Sequence, residues 1–536
     1  MNRPAELRRL RLGRSSVAPF CRPFAARITG GCVPGAPCGD ARLRSDGPWG
    51  LTSGTGTLAV ALIALLMAPA TPAPAAALAP AGPGYAVVVS RDTAARPAWS
   101  KVVAALRGKY AATVIEFDKT VDESLPALQK ARPRYVAFVA THPEATRTFV
   151  AQVHRLGRRI DDDPYADALW GIVTGHAAAD ALRIASCPAP LVVGRVASGT
   201  DVELDACQEG VWYCELVKNR MVRKTRGGEA TPGQGPDDTT KALVDCLNVY
   251  KADLFVTSGH ATERDWQIGY RYRNGQFRSK AGQLYGRDTA GKTYPIHSPN
   301  PKVYLPVGNC LMGHINGPDA MALAWMHSAG VNQMIGYTVS TWYGYAGWGC
   351  LDYFLEQPGR YTFAEAFHAN GHALVHRLTT YFPQVAKVED GLSRRPATLP
   401  TLTPEARAAG LRTQDALGLL FDRDAVAFYG DPAWSARMAP GPLAWKQALS
   451  VDGEVYTFRI EPQRGAKTFQ PINTNGSQRG GRPIVCYLPS RIGPAKVLEG
   501  ADLNPVVTDD FLLIPNPKTC DPGRTYQVKF QAKRVK

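Results

Sequence analysis

From Tyr85 onward the chain alternates short apolar runs with stretches of helical spacing, and no other feature limits its fold as strongly. YAVVVS (Tyr85–Ser90), TVIEF (Thr113–Phe117) and YVAFVA (residues 135–140) have the length and β-branched content of strands. Around them, residues 98–109, 125–130 and 147–156 carry apolar side chains at helical intervals, as with Val102, Val103 and Leu106. Alternating β and α elements build a parallel sheet covered by helices. The expected fold class is therefore α/β, with a first unit over residues 84–185.

A second unit is expected over residues 186–438. It opens with LVVGRV (191–196), followed by a helix through 202–218 and a Gly/Pro-rich loop, RGGEATPGQGPDD, over 226–238. Next come a helix over 239–250, a strand over 253–257, an insertion to about Ser298 and a strand over 302–307. A helix over 318–329, a strand over 332–339 and a helix near 363–378 lead to Phe428-Tyr429-Gly430-Asp431-Pro432. Beyond Pro440 the pattern becomes β-type runs separated by Gly, Pro and Asn, which predicts a small all-β sandwich, immunoglobulin-like, over 439–536.

Residues 1–83 read as presequence. LAVALIALLMA (58–68) is an eleven-residue apolar run that follows Arg42 and Arg44 and precedes an Ala/Pro tract containing Ala77-Leu78-Ala79. This has the layout of an export signal over residues 58–79. It is too short for a membrane span, which needs about 20 apolar residues. A secreted, cell-surface or periplasmic protein is the expectation. Loss of the presequence would remove Cys21, Cys32 and Cys38 and leave eight of the eleven cysteines. Export permits disulfides, with Cys187, Cys207, Cys214 and Cys246 in one region and Cys486 with Cys520 in another, but spacing does not reveal pairing.

The formal charge is +16, of which the first fifty residues supply +6 through nine Arg against three acids. No dense Lys/Arg run with interleaved aromatics occurs in the remainder, so a solvated basic surface is expected rather than nucleic-acid binding. A hydrophobic share of 45% and a charged share of 20% exclude a disordered or fibrous chain.

In an open α/β sheet, ligands bind beyond the carboxyl ends of the strands. Two strands here end in chemically loaded tips: Ser258-Gly259-His260-Ala261-Thr262 and Gly308-Asn309-Cys310-Leu311-Met312-Gly313. A thiol attacks as thiolate and needs a base or cation beside it, on an exposed turn. A histidine on the neighbouring tip can carry the protons. Backbone N–H groups at Ala261 and Cys310 are the candidates for holding an oxyanion. The fifty-residue His-to-Cys separation matches the caspase signature.

LFVTSGHATERDW (254–266) and VYLPVGNCLMG (303–313) resemble the His and nucleophile strands of the gingipain family of cysteine peptidases. IDDDPYADALWGIVTG (160–175), LVVGRV, MIGYTVSTW (334–342) and YGDPAW (429–434) extend the resemblance over residues 85–434. It implies a caspase-like fold of two subdomains, endopeptidase activity on protein or peptide substrates without a cofactor, and a dyad of His260 and Cys310. One departure is Ala261, where the family has Gly after the catalytic His. If that backbone needs φ > 0, Ala is strained there, and a catalytically silent binding or scaffold protein becomes the alternative.

The resemblance also implies an acid that orients the His and another that reads the residue before the cleaved bond. Glu229, Asp237 and Asp238 lie in the suitable loop, and Trp342 is the candidate pocket wall. Asp161, Asp162, Asp163 and Asp167 could hold a structural Ca²⁺, although caps and surface charge are the simpler reading. Cys310 and His314 with His260 lack a clear fourth metal ligand. His368, His372 and His376 share a helical face and are expected on an ordinary helix surface.

Overall fold

The computed structural model describes residues 84–392 and 400–535; the presequence, its signal segment and Cys21, Cys32 and Cys38 lie outside them. Twelve strands form one sheet. In spatial order they are Thr113–Phe117, Tyr85–Ser90, Tyr135–Val139, Leu169–Val173, Val426–Gly430, Val331–Tyr337, Lys302–Pro306, Leu254–Thr257, Arg195–Ser198, Glu209–Tyr213, Arg220–Lys224 and Thr231–Gln234. The first five run parallel to one another, and the next five run parallel to one another in the opposite sense. The reversal falls where Val426–Gly430, from far down the chain, inserts between Leu169–Val173 and Val331–Tyr337. One sheet thus passes through both units expected from the sequence.

The inner strands are buried along their whole length, as a sheet covered on both faces requires. Helices at Pro97–Tyr110, Arg147–Gly157, Thr240–Asn248 and Phe363–Tyr381 appear where the spacing puts them. Their ends have local causes. Thr146 caps one helix by accepting the Phe149 N–H at 3.3 Å, and Thr362 with Glu365 forms a reciprocal capping box on another.

Several segments differ from expectation. Residues 202–218 contain a 3-10 turn at Leu204–Ala206 and then the strand Glu209–Tyr213, not a helix. Val211, Trp212 and Tyr213 favour strands, and pairing with Arg195–Ser198 decides the matter. The supposed loop at 226–238 includes the exposed edge strand Thr231–Gln234, where Pro232 is tolerated because no further strand follows. The insertion before Ser298 is a four-stranded antiparallel sheet of Asp265–Gln267, Gln276–Lys280, Gln283–Arg287 and Thr293–Ile296. The helix expected at 318–329 is confined to Met321–His327.

After residue 440, the antiparallel strands Trp445–Asp452, Val455–Pro462, Tyr526–Gln531 and Lys496–Glu499 form one sheet, and Ile484–Tyr487, Phe511–Ile514 and Val506–Val507 another. Tyr456, Phe458, Val528 and Phe530 from the first meet Ile484, Leu512 and Ile514 from the second in a separate core. The alternate residues Phe511, Leu513 and Val485 turn outward and join the main core. His372 stacks on Phe511 at 4.2 Å, and His368 meets the Trp170 backbone. Those two histidines are therefore buried core groups rather than helix surface: the main sheet covers His368 at Trp170, and the β domain covers His372. All eight cysteines among the described residues are free. No described helix is long and apolar enough to cross a membrane.

Candidate functional site

The strands Leu254–Thr257 and Lys302–Pro306 are parallel neighbours with Thr257 opposite Pro306, and the Val307 N–H continues the ladder to the Thr257 carbonyl at 2.9 Å. Their carboxyl ends leave the sheet at one edge, side by side. The buried Asn309 side chain ties the two tips: its Oδ1 accepts the Thr257 hydroxyl at 2.7 Å, and its Nδ2 donates to the Gly259 carbonyl at 3.2 Å. Gly259 turns the chain at φ +96°, a conformation glycine adopts without steric cost. His260 then emerges into solvent with its ring stacked on Tyr270 at 4.7 Å.

Cys310 is half-buried, and its Sγ accepts the N–H of Thr341 at 3.2 Å. That donor comes from the segment just past Val331–Tyr337, so a second strand end meets the sulfur, while the His260 tip is tied to the same turn through Asn309. Leu311 follows at φ +58°, held there by its N–H to the Val339 carbonyl at 3.0 Å. Gly313 and Gly336 lie backbone to backbone; a Cβ on Gly313 would stand 2.2 Å from the Gly336 oxygen.

Around His260 the backbone bonds run from Gln267 N–H to the His260 carbonyl and from Thr262 N–H to the Asp265 carbonyl. The N–H groups of Ala261 and Cys310 donate to no acceptor among the described residues. Ala261 does not have positive φ; the left-handed residue of this turn is Gly259. The strain that Ala would carry if this position needed positive φ therefore does not arise.

Sequence reading passed over Glu215, which fell inside the helix wrongly expected at 202–218. It stands just past the strand Glu209–Tyr213, so the rule that leads to His260 and Cys310 would have found it once that strand was recognised. Glu215 is 5% exposed, and its Oε1 accepts the hydroxyls of Thr200 at 2.6 Å and Ser258 at 3.0 Å. Its carbonyl accepts the N–H groups of Tyr270 and Arg271. It therefore props both the turn that carries His260 and the ring on which His260 stacks. Oε2 has no hydrogen-bond partner among the described residues, and burial pushes the carboxyl above its ordinary range despite the Thr200, Ser258 and Asn475 side chains around it.

The other candidate residues sit as follows. Trp342 is 54% exposed, edge-on to Phe421. Glu229 lies exposed between Arg220–Lys224 and Thr231–Gln234 at the far end of the sheet. Asp237 pairs with Lys218 at 2.8 Å and Asn219 at 2.7 Å. Asp238 accepts the N–H groups of Thr240 and Thr289, tying the helix Thr240–Asn248 to the inserted sheet.

His314 pairs with Glu263 at 3.2 Å. Among the described residues one group brings three metal-type ligand atoms within 4.8 Å of one another, namely Asp161, Asp167 and Asp509. It draws Asp509 from the β domain and leaves out Asp162 and Asp163, the latter accepting the Tyr165 N–H at 2.8 Å.

No family model and no curated protein matches the chain. Among solved structures, the complex of Porphyromonas gingivalis RgpB pro- and mature domains is similar with a TM-score of 0.39 and 11% identity, covering 84% of this chain and 100% of that one. A structure described as a protease is similar with a TM-score of 0.36 and 10% identity, covering 84% of this chain and 97% of that one. Likeness at this level leaves function to be read from the site itself.

Proposed function

We propose that the protein is a cysteine endopeptidase with Cys310 as nucleophile and His260 as general acid and base. The observation that carries this reading is the pair of parallel, adjacent strand tips, locked together by Asn309, that present an imidazole and a thiol at one edge of the sheet. The Cys310 sulfur, as thiolate, attacks the peptide carbonyl and forms a C–S bond. The oxygen's negative charge meets the uncommitted N–H groups of Ala261 and Cys310. His260 gives its proton to the leaving amine as the C–N bond breaks. It then takes a proton from water, which attacks the thioester; the C–S bond breaks and the carboxylic acid leaves. The Thr341 N–H stabilises negative charge on sulfur between turnovers.

Further support comes from the other thiols. Burial pushes Cys207, Cys246 and Cys486 up to about 12, whereas Cys310 lies at a half-exposed turn. Trp342, exposed beside the third strand end, is the proposed wall for the residue preceding the cleaved bond. Export through residues 58–79 belongs to the same reading, as do protein or peptide substrates.

The test is labelling with a peptide acyloxymethyl ketone library, read by mass spectrometry on wild type, Cys310→Ala and His260→Ala. An adduct on Cys310 that both substitutions abolish is expected. Folded wild type that takes no label would sink the reading in favour of a silent binding protein.

A further inference from the structure

One loop of the C-terminal β domain contacts groups that back both tips of the site. On the His260 side, Asn475 Nδ2 donates to the Thr200 hydroxyl at 3.1 Å and to the Asp201 carbonyl at 3.4 Å, and Asn473 reaches the Asp201 carboxylate at 3.4 Å. Thr200 in turn donates to Glu215, which accepts from Ser258, two residues before His260.

On the Cys310 side, the buried Trp348 indole lies between two glycines. A Cβ on Gly476 would be 2.5 Å from its ring, and a Cβ on Gly308 would be 3.1 Å from its Nε1. Gly308 is two residues before Cys310. Ser477 meets Gly344 across the same junction.

The loop is anchored by buried charge. Arg479 pairs with Asp352 at 2.5 Å and with Glu356, Arg482 pairs with Asp352 at 2.9 Å, and the Arg479 Nη1 holds the Asn475 carbonyl at 2.8 Å. Asp352 lies on the main-domain helix Tyr345–Phe354 that carries Trp348, and Glu356 stands just past its end. Two Arg against two carboxylates, all nearly inaccessible, fix the loop in one register. A loop needed only to join the domains has no reason to contact the supports of both tips.

We propose that residues 473–482 are a positioning element of the active site, with Asn475 holding the Thr200–Glu215–Ser258 chain beneath His260 and Gly476 seating Trp348 against the Cys310 turn. This rests on the peptidase reading of Cys310 and His260. The β domain is then part of the catalytic apparatus. Asn475 and Gly476 touch no substrate; they act through the groups they hold.

The experiment measures iodoacetamide alkylation of Cys310 against pH on the full chain, by peptide mapping. It compares wild type with His260→Ala, Asn475→Ala, Gly476→Ala and, as a control on the exposed face of the β domain, Arg459→Ala. Expected are a wild-type rate that depends on His260 and a fall of about tenfold in Asn475→Ala, the scale of one lost hydrogen bond. Its pH profile should change as well, because the hydrogen bonds that fix the His260 turn through Thr200, Glu215 and Ser258 are loosened. Gly476→Ala should behave alike and Arg459→Ala like wild type. Should Gly476→Ala misfold, Asn475→Ala decides alone. Wild type with no His260 dependence overturns the peptidase reading and this proposal with it. His260-dependent wild type whose profile Asn475→Ala leaves unchanged overturns this proposal alone.

Discussion

At the residue scale, chemistry separates side chains that look alike in the sequence. Cys207, Cys246 and Cys310 are three thiols in one unit, but burial holds the first two protonated at neutral pH, while Cys310 stands at a turn with a backbone donor on its sulfur. Limiting iodoacetamide at pH 7 should therefore modify Cys310 well before Cys207 or Cys246, as peptide mapping would show; equal modification would contradict the geometry. Asp167 carries a pH dependence. Burial, and then its hydrogen bond with Asp161, pushes its carboxyl up to about 9. The ordinary value in the unfolded chain is about 4. A folded-state pKa above the unfolded one means that the associated stability is complete below pH 4 and is lost as pH rises through 9. Asp167→Asn should then be more stable than wild type at pH 9 by more than about 1 kcal/mol, the worth of one pKa unit, with the gap closing by pH 4. Denaturant melts at the two pH values check this, and a gap independent of pH would refute it.

At the scale of elements, the strand tips were legible because short, apolar, β-branched runs ending in Gly-His and Asn-Cys announce themselves. The strand Glu209–Tyr213 was not, and Glu215 went with it, since a five-residue run takes its state from the strand it pairs with. What holds the Cys310 turn is close contact rather than any motif. Gly313 and Gly336 let the turn lie directly on the strand Val331–Tyr337, with Gly313 N–H bonded to the Tyr337 carbonyl at 2.9 Å. Gly313→Ala should destabilise the protein by about 1–3 kcal/mol, the usual cost of overpacking. A denaturation midpoint equal to wild type would show that the two backbones have room to part.

At the scale of the whole molecule, the β domain is joined to the main unit by apolar packing and buried charge together. Phe511 and Leu513 enter the main core, and Arg491 bonds the Asp167 carbonyl while pairing with Asp509 at 2.6 Å. Arg482, fully enclosed, serves Asp352 and lies 3.6 Å above the Tyr345 ring. Arg482→Ala should cost about 3–5 kcal/mol, because it strips a buried carboxylate of one partner. Urea unfolding followed by tryptophan fluorescence is the measurement, and a loss below 1 kcal/mol would mean that water replaces the guanidinium. None of these pairings is visible in the sequence, where Asp352 and Arg482 are 130 residues apart.

The sequence alone determined the α/β class, the change to β structure after residue 440, and the pairing of His260 with Cys310 as candidates. These follow from periodicity and from residue types at strand ends, which are local properties of the chain. Tertiary structure decided that one sheet with a central reversal runs through both expected units. It also decided that Glu215 supports the histidine turn, that His368 and His372 belong to the core, and that the loop of residues 473–482 packs against Thr200 and Trp348. Each of these depends on which distant segments share a buried environment. That is settled by the packing of the whole chain, because burial and pairing free energies belong to contacts between segments rather than to any one of them.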